Sequence, residues 1–164
     1  MLRKLELKDA ERMYEWMHDE NVVRGLQENV FQKKTIEDCI YFIEASKIDE
    51  KNFHRAIVDA HGIYQGTVSL KNINLEFKDA EFAIVLRSDA QGKGYAKQAM
   101  KAIMDIAFYE LGLDEVYWNV LIDNERAVSL YEKMGYEKMV DVSERVKEHA
   151  PQNREVMFFR NRKR

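Results

Sequence analysis

Glu81-Phe82-Ala83-Ile84-Val85-Leu86-Arg87-Ser88-Asp89-Ala90-Gln91-Gly92-Lys93-Gly94-Tyr95-Ala96 is the most informative run in the chain. Glu81 to Leu86 carries the aromatic and branched side chains of a strand. Gly92 and Gly94 follow, where a backbone can turn tightly with no Cβ in the way. Beyond them Ala96, Ala99, Met100, Ile103, Ile106, Ala107 and Leu111 recur at helical spacing, and Gly112 supplies the stop. A strand thus enters a glycine loop that opens the longest helix of the chain. The first N–H groups of a helix lack internal partners and carry the positive end of its dipole. Such a loop offers convergent donors to an anion, typically a pyrophosphate, and Lys93 adds charge nearby. It is not a Walker A loop, since no Gly-Lys-Ser/Thr stands at the required spacing. It also lacks the third glycine of the dinucleotide fingerprint.

The flanks complete a pattern. Before the loop, Phe53 to Asp59, Gln65 to Ile73 and Glu81 to Leu86 read as three strands joined by short turns, an antiparallel meander. Leu2 to Leu7 opens a short strand. Ala10, Met13, Tyr14 and Met17 follow at helical spacing. Asn21 to Leu26 reads as a turn or short helix, and Gln27 to Lys34 as loop. Thr35 to Asp38 has capping-box spacing, and Ile36, Ile40 and Ile43 give the buried stripe of the helix it opens, with Cys39 in the core beside them. After the long helix, Val116 to Leu121 is a strand. Asn124 can cap a helix carrying Ala127, Leu130, Tyr131 and Met134, which Gly135 ends. Tyr136 to Val142 and Val156 to Phe159 are the last strands, separated by a charged loop, and Arg160 to Arg164 is a solvated basic end. The expected class is α/β (α+β). Its mixed, mostly antiparallel sheet has six or seven strands and about four flanking helices, in a single domain over residues 1–164.

Composition narrows the function. The net charge is −3, from 26 Lys and Arg against 29 Asp and Glu, a poor field for binding nucleic acid. Cys39 is the sole cysteine, which excludes an internal disulfide and a cysteine-based zinc site. His18, His54, His61 and His149 show no metal-ligand spacing, so no metal is expected. Ser69, Ser88, Ser129 and Ser143 show no nucleophile elbow. Charges at Arg3, Lys4, Glu6, Lys8 and Asp9 replace the apolar run of a signal peptide. No stretch reaches the 18 or so apolar residues of a membrane span. A cytoplasmic enzyme or binding domain is the expectation.

Two motifs resemble one family. Gln91-x-x-Gly94-x-Ala96, leading into a long helix, resembles the pyrophosphate motif of the GNAT N-acetyltransferases, Gln/Arg-x-x-Gly-x-Gly/Ala. Asn124-x-x-Ala127-x-x-Leu130-Tyr131-x-x-x-Gly135-Tyr136 is similar to the second signature of the same family. The element order resembles the family along the whole chain. Glu15-Trp16-Met17-His18-Asp19 with Val23-Arg24 is similar to the branch of ribosomal-protein, polyamine and nucleotide-amino-sugar acetyltransferases.

The resemblance implies an N-acetyltransferase that uses acetyl-CoA as co-substrate, without a metal, by direct attack in a ternary complex. Ile84, Val85 and Leu86 would present backbone groups to the pantetheine arm, in a gap between their strand and Val116 to Leu121. An N–H near Leu86 would hold the thioester carbonyl. Gln91, Gly92, Lys93, Gly94, Tyr95, Ala96 and Lys97 would wrap the pyrophosphate. Asn124 would hydrogen-bond the pantetheine arm, and Ala127 and Tyr131 would complete the cofactor side. Tyr131 is the implied general acid, since a phenol with an ordinary pKa of about 10 stays protonated and can donate to the leaving thiolate. Read as residues alone, Asn124 is equally a plain N-cap and Tyr131 a core aromatic. Glu81 is the first candidate for the base. Four residues of strand span roughly 13 Å, so it would act through water or a bent strand. The ribosomal-protein branch has its base glutamate at the position of Asn119 here, which cannot serve. The favoured acceptor is a small-molecule amine: an amino sugar, polyamine or antibiotic. A protein N-terminus or lysine is the alternative, and a non-catalytic CoA sensor is the alternative of another class. Homodimers are common in the family, and no residue here argues for one.

Overall fold

The computed structural model describes residues 1–26 and 30–164. Its elements run β1 (Leu2–Arg3), α1 (Ala10–Met17), α2 (Glu20–Val23), α3 (Ile36–Ser46), β2 (Phe53–Val58), β3 (Tyr64–Asn74), β4 (Asp79–Leu86), α4 (Tyr95–Asp105), β5 (Glu115–Leu121), α5 (Glu125–Lys133), β6 (Glu137–Lys138), α6 (Glu144–Lys147) and β7 (Val156–Arg162). The strands form one sheet in the order β1-β2-β3-β4-β5-β7-β6, and every neighbouring pair is antiparallel except β4–β5. This is the mixed, mostly antiparallel sheet expected from the sequence, with α1, α3, α4 and α5 as its longer helices.

Strand alternation sends side chains to two cores. On one face Val68, Leu70, Ala80, Phe82, Val116, Trp118 and Phe159 meet Ala99, Met100 and Ile103 of α4. On the other, Ala56, Val58 and Tyr64 meet Met13, Trp16 and Met17 of α1 with Cys39 and Ile43 of α3. The helix starts are written locally. Thr35 and Asp38 form the expected reciprocal capping box. The Asn124 side chain accepts from the Ala127 N–H and opens α5. No helix among the described residues is long and apolar enough to cross a membrane.

Four local readings change. The loop expected over Gln27 to Lys34 lies partly outside the described residues, and Phe31–Lys33 forms a 3-10 turn. Ile40 is 40% exposed, because Cys39 takes the inward position one turn before Ile43. The strand expected over Tyr136 to Val142 shrinks to Glu137–Lys138. It sits at the sheet edge with only β7 beside it, and the chain leaves at Val140 for α6, a helical turn within the expected charged loop. The basic end is not simply solvated. β7 continues to Arg162, where Arg160 pairs with Glu137 and Glu115, and Arg162 with Glu137. Opposite charges on neighbouring strands extend the ladder beyond its apolar part.

Gly66 fixes the approach of β3 to β4. A Cβ built there would lie 2.2 Å from the Val85 carbonyl oxygen and 3.0 Å from Leu86 Cα. Neither backbone atom can give way without moving the end of β4. Gly66→Ala is expected to cost about 1–3 kcal/mol, the usual scale of overpacking, read as a lowered midpoint in urea unfolding. An unchanged midpoint would mean that the two strands do not approach this closely.

Candidate active site

The site begins where two central strands part. β4 and β5 pair only as Asp79–Glu115, Ala80–Val116 and Glu81–Tyr117. Beyond that point β4 keeps its ladder with β3 and β5 keeps its ladder with β7, but the ladder between β4 and β5 has ended. Although β4 is the middle strand of seven, Ala83 to Leu86 are half-buried rather than buried. The Arg87 N–H donates to the Gln65 carbonyl. By antiparallel alternation, Val85 then turns its backbone groups toward β3, and Ile84 and Leu86 turn theirs into the gap. Of the three residues expected to present backbone groups there, Val85 instead packs its side chain against the α1 core. The Leu86 carbonyl is met by the Gln91 side-chain amide at 3.5 Å.

The glycine loop closes one end of this gap. Gly92 and Gly94 adopt φ of 76° and 85°, the left-handed region open to glycine. Gly94 is the N-cap of α4 and has no side chain to spend on the helix start, whereas α2, α3, α5 and α6 are each capped by Asp19, Thr35, Asn124 or Ser143. The first turn of α4 also lacks an acidic residue. Its early N–H groups at Tyr95, Ala96 and Lys97 therefore fit a pyrophosphate, beside the exposed Lys93. Arg126 of α5 donates to Gln91 Oε1 at 2.8 Å and brings a second cation to the loop, one that sequence reasoning missed. Ser88 donates to Asp19 at 2.7 Å, and Arg87 donates to Glu15 at 2.8 Å and to the Arg12 carbonyl at 2.9 Å, so the loop is tied to α1 and α2.

Asn124 and Tyr131 share α5. Asn124 caps its helix through Oδ1, and its Nδ2 donates to the Gly25 carbonyl at 3.4 Å. Ala127 packs at the rim of the α4-side core. Tyr131 is 6% exposed and edge-on to both Trp118 and Phe159, with ring centroids 5.4 Å away in each case. Burial pushes its phenol well above the usual value, with a further push from Tyr136, so it is held as a proton donor.

Glu81 lies on the opposite face, since it alternates with Ala80 and Phe82, which face α4. It is buried at 6% exposure where β4 and β5 part. Asn72 donates to its carboxylate at 3.3 Å, and Lys71 Nζ stands 3.7 Å away. Asn72 has φ of 53°, in the irregular end of β3 where register shifts, and that left-handed turn aims its amide at Glu81. Burial raises the Glu81 pKa against the opposing pull of Lys71 and His149. Around it stand residues the sequence reading did not single out. Tyr117 is its partner across the parallel ladder. Asp79, two residues back, takes both guanidinium nitrogens of Arg145, which pins α6 to this corner. The β4–β5 register brings Tyr117 here and the pairing with Asp79 brings Arg145, and no motif announced either. Asn119 follows Tyr117 on the same face of β5. His54 is buried on β2, bonded to Ser69 at 2.6 Å and lowered to about 4 by burial, a neutral imidazole within the fold.

The arrangement has a slot through a sheet, an anion cradle at one end, a protonated phenol on one face and a buried carboxylate on the other. The family model for the acetyltransferase (GNAT) domain matches residues 1–137. Spermidine N(1)-acetyltransferase of Escherichia coli strain K12 is 32% identical over 140 residues, covering 82% of this chain and 71% of that protein. Its counterpart in Vibrio cholerae serotype O1 is 30% identical over 141 residues, covering 82% and 77%. A crystal structure of spermidine N-acetyltransferase from Vibrio cholerae in complex with CoA and spermine superposes with a TM-score of 0.79 at 25% identity, over 98% of this chain and 92% of that one.

The raised pKa of Glu81 makes a stability prediction. A carboxyl whose pKa is higher folded than unfolded favours the fold while protonated, and that contribution is lost as pH rises through the folded value. Glu81→Gln, which stays neutral, should therefore unfold at a higher temperature than the wild type at pH 8. The difference should shrink on acidification toward pH 4. A variant less stable at pH 8 would mean that the Lys71 and Asn72 contacts outweigh desolvation.

Proposed function

The chain belongs to the GNAT acetyltransferase family, and on that footing we propose that it moves the acetyl group of acetyl-CoA to a primary amine of a polyamine. The observation that carries the acceptor is the 32% identity to a spermidine N(1)-acetyltransferase, extending over 82% of the chain. It narrows the amine acceptors left open by the sequence to the polyamine class. The reading has the enzyme working in the cytoplasm.

Acetyl-CoA, when bound, supplies the activated thioester. Ile84 and Leu86 offer backbone groups to its pantetheine arm, and the Leu86 N–H steadies the carbonyl oxygen as charge develops on it. The glycine loop, α4 and Arg126 hold the pyrophosphate. Asn124 keeps its capping bond and can serve the arm from the same amide. Glu81 removes the proton that must leave the acceptor ammonium before nitrogen can attack. Tyr131 gives its proton to the departing sulfur. The carboxylate and the phenol do opposite work: burial raises Glu81 toward the range where it can take a proton, and keeps Tyr131 protonated until the sulfur departs.

Release of CoA thiol by the purified protein tests this, with polyamines, amino sugars and N-terminal peptides supplied separately. Release is expected with the polyamine pool. Tyr131→Phe should lower kcat by roughly 10²–10⁴-fold, the usual worth of a general acid, with the KM for acetyl-CoA little changed. Release driven by another pool would move the acceptor assignment. Acetyl-CoA binding with no release from any pool would favour the sensor reading.

A further inference from the structure

Tyr117 has no role in the chemistry so far, and its surroundings are unusual. It is 1% exposed, and its hydroxyl has no hydrogen-bond partner among the described residues. Native folds leave few buried hydroxyls unpaired, so one at a reaction centre marks a place where something else binds. Tyr117 stands directly across from Glu81 in the last parallel pair before β4 and β5 separate, with backbones about 4.8 Å apart. Parallel partners in register point to the same face, so the phenol and the carboxylate are neighbours where the gap begins.

The charged groups around this pair come from every element packed on it. Lys71 comes from β3, Asp79 from β4, Glu115 from β5, Arg160 from β7 and Arg145 from α6, with His149 just beyond it. Burial, with Asp79 and Glu81 close by, pushes the phenol up to about 12, so it remains a donor wherever the enzyme works. Glu81 also needs an intermediary. An amine attacking beside Leu86 is further along β4 than a glutamate side chain extends, since Glu81 to Val85 alone spans roughly 13 Å.

We infer that Tyr117 is a positioning residue whose hydroxyl donates to a water molecule, and that this water donates in turn to the Glu81 carboxylate. The inference rests on Glu81 as the base in the function proposed above. The acceptor ammonium loses one N–H bond, and its proton joins the water. The water passes its other proton to Glu81, where an O–H bond forms. The products are a neutral amine, a carboxylic acid and an unchanged water, and Tyr117 keeps its own proton throughout. Where the path holds more than one water, each gives up one proton as it gains one.

Tyr117→Phe removes one oxygen and keeps the ring. A high-resolution crystal structure of the wild-type chain should contain a water within hydrogen-bond distance of both Tyr117 Oη and a Glu81 oxygen, and that water should be missing from Tyr117→Phe. Tyr117 Oη bonded to a protein group, or to nothing, overturns the inference whatever the acceptor proves to be. With a polyamine that the wild type acetylates, Tyr117→Phe should lower kcat about tenfold, a fraction of what a general base supplies. The KM for acetyl-CoA should hold, and the acid limb of the pH profile should move to higher pH. In a Glu81→Gln background the same change should cause no further fall. An additive fall would assign Tyr117 a structural role and overturn the inference. If no polyamine is turned over, the function proposed above fails, and the water alone judges Tyr117.

Discussion

A central strand that loses its neighbour halfway along is the constraint on which the rest of this structure depends. β4 has β5 beside it for three residues and then has only β3. Backbone N–H and C=O groups in the middle of a sheet ordinarily pair with the next strand, and those of Ile84 and Leu86 do not. The Gln91 amide reaches the Leu86 carbonyl, and the remaining groups are tolerable there because water or a ligand can meet them. The half-burial of Ala83 to Leu86 records that compromise. A sheet optimised for stability alone would close here.

The surroundings hold the strands apart. β5 is held along its far edge by all seven residues of its pairing with β7, so it cannot swing toward β4 without breaking that ladder. On the α4 face, Phe82 and Trp118 meet edge-on with ring centroids 5.4 Å apart, filling the space beneath the gap with rigid aromatic surface. On the other face, the paired Arg145 and Asp79 fix α6 just before the strands part. Ser88, Arg87 and Asn124 tie the loop ends to the N-terminal helices. The gap is thus built before any ligand arrives, which lowers the ordering cost of binding.

Much of this was legible from local chemistry. Thr35 with Asp38 and Asn124 ahead of Ala127 mark helix starts through side-chain hydrogen bonds, and these survive any tertiary context. Gly92 and Gly94 sit where the loop needs left-handed backbone. Readings that depended on what a segment packs against were less secure. Ile40 is as apolar as Ile43, and only the seating of α3 exposes it. Val140 stands with Met139 and Val142 in a stretch that alternates weakly, yet β6 is the edge of the sheet and no strand lies on its outer side. Arg160 and Arg162 read as a solvated end because their partners, Glu115 and Glu137, are distant in sequence. The same limit hid the neighbours of Glu81. Asp79 is two residues away and was within reach of alternation. Tyr117 and Arg145 come from other elements, and parallel register cannot be read from either strand alone.

The placement of Glu81 and Tyr131 on opposite faces of one sheet separates two tasks that evolution can alter independently. The cradle side is built from α4, α5 and the glycine loop. The other side is assembled from α1 to α3, α6 and the ends of β3 and β7. A substitution in α3, α6 or the ends of β3 and β7 leaves the hydrogen bonds of the glycine loop and Asn124 in place. A chain of this design can therefore trade one amine for another without rebuilding the half that carries the activated group.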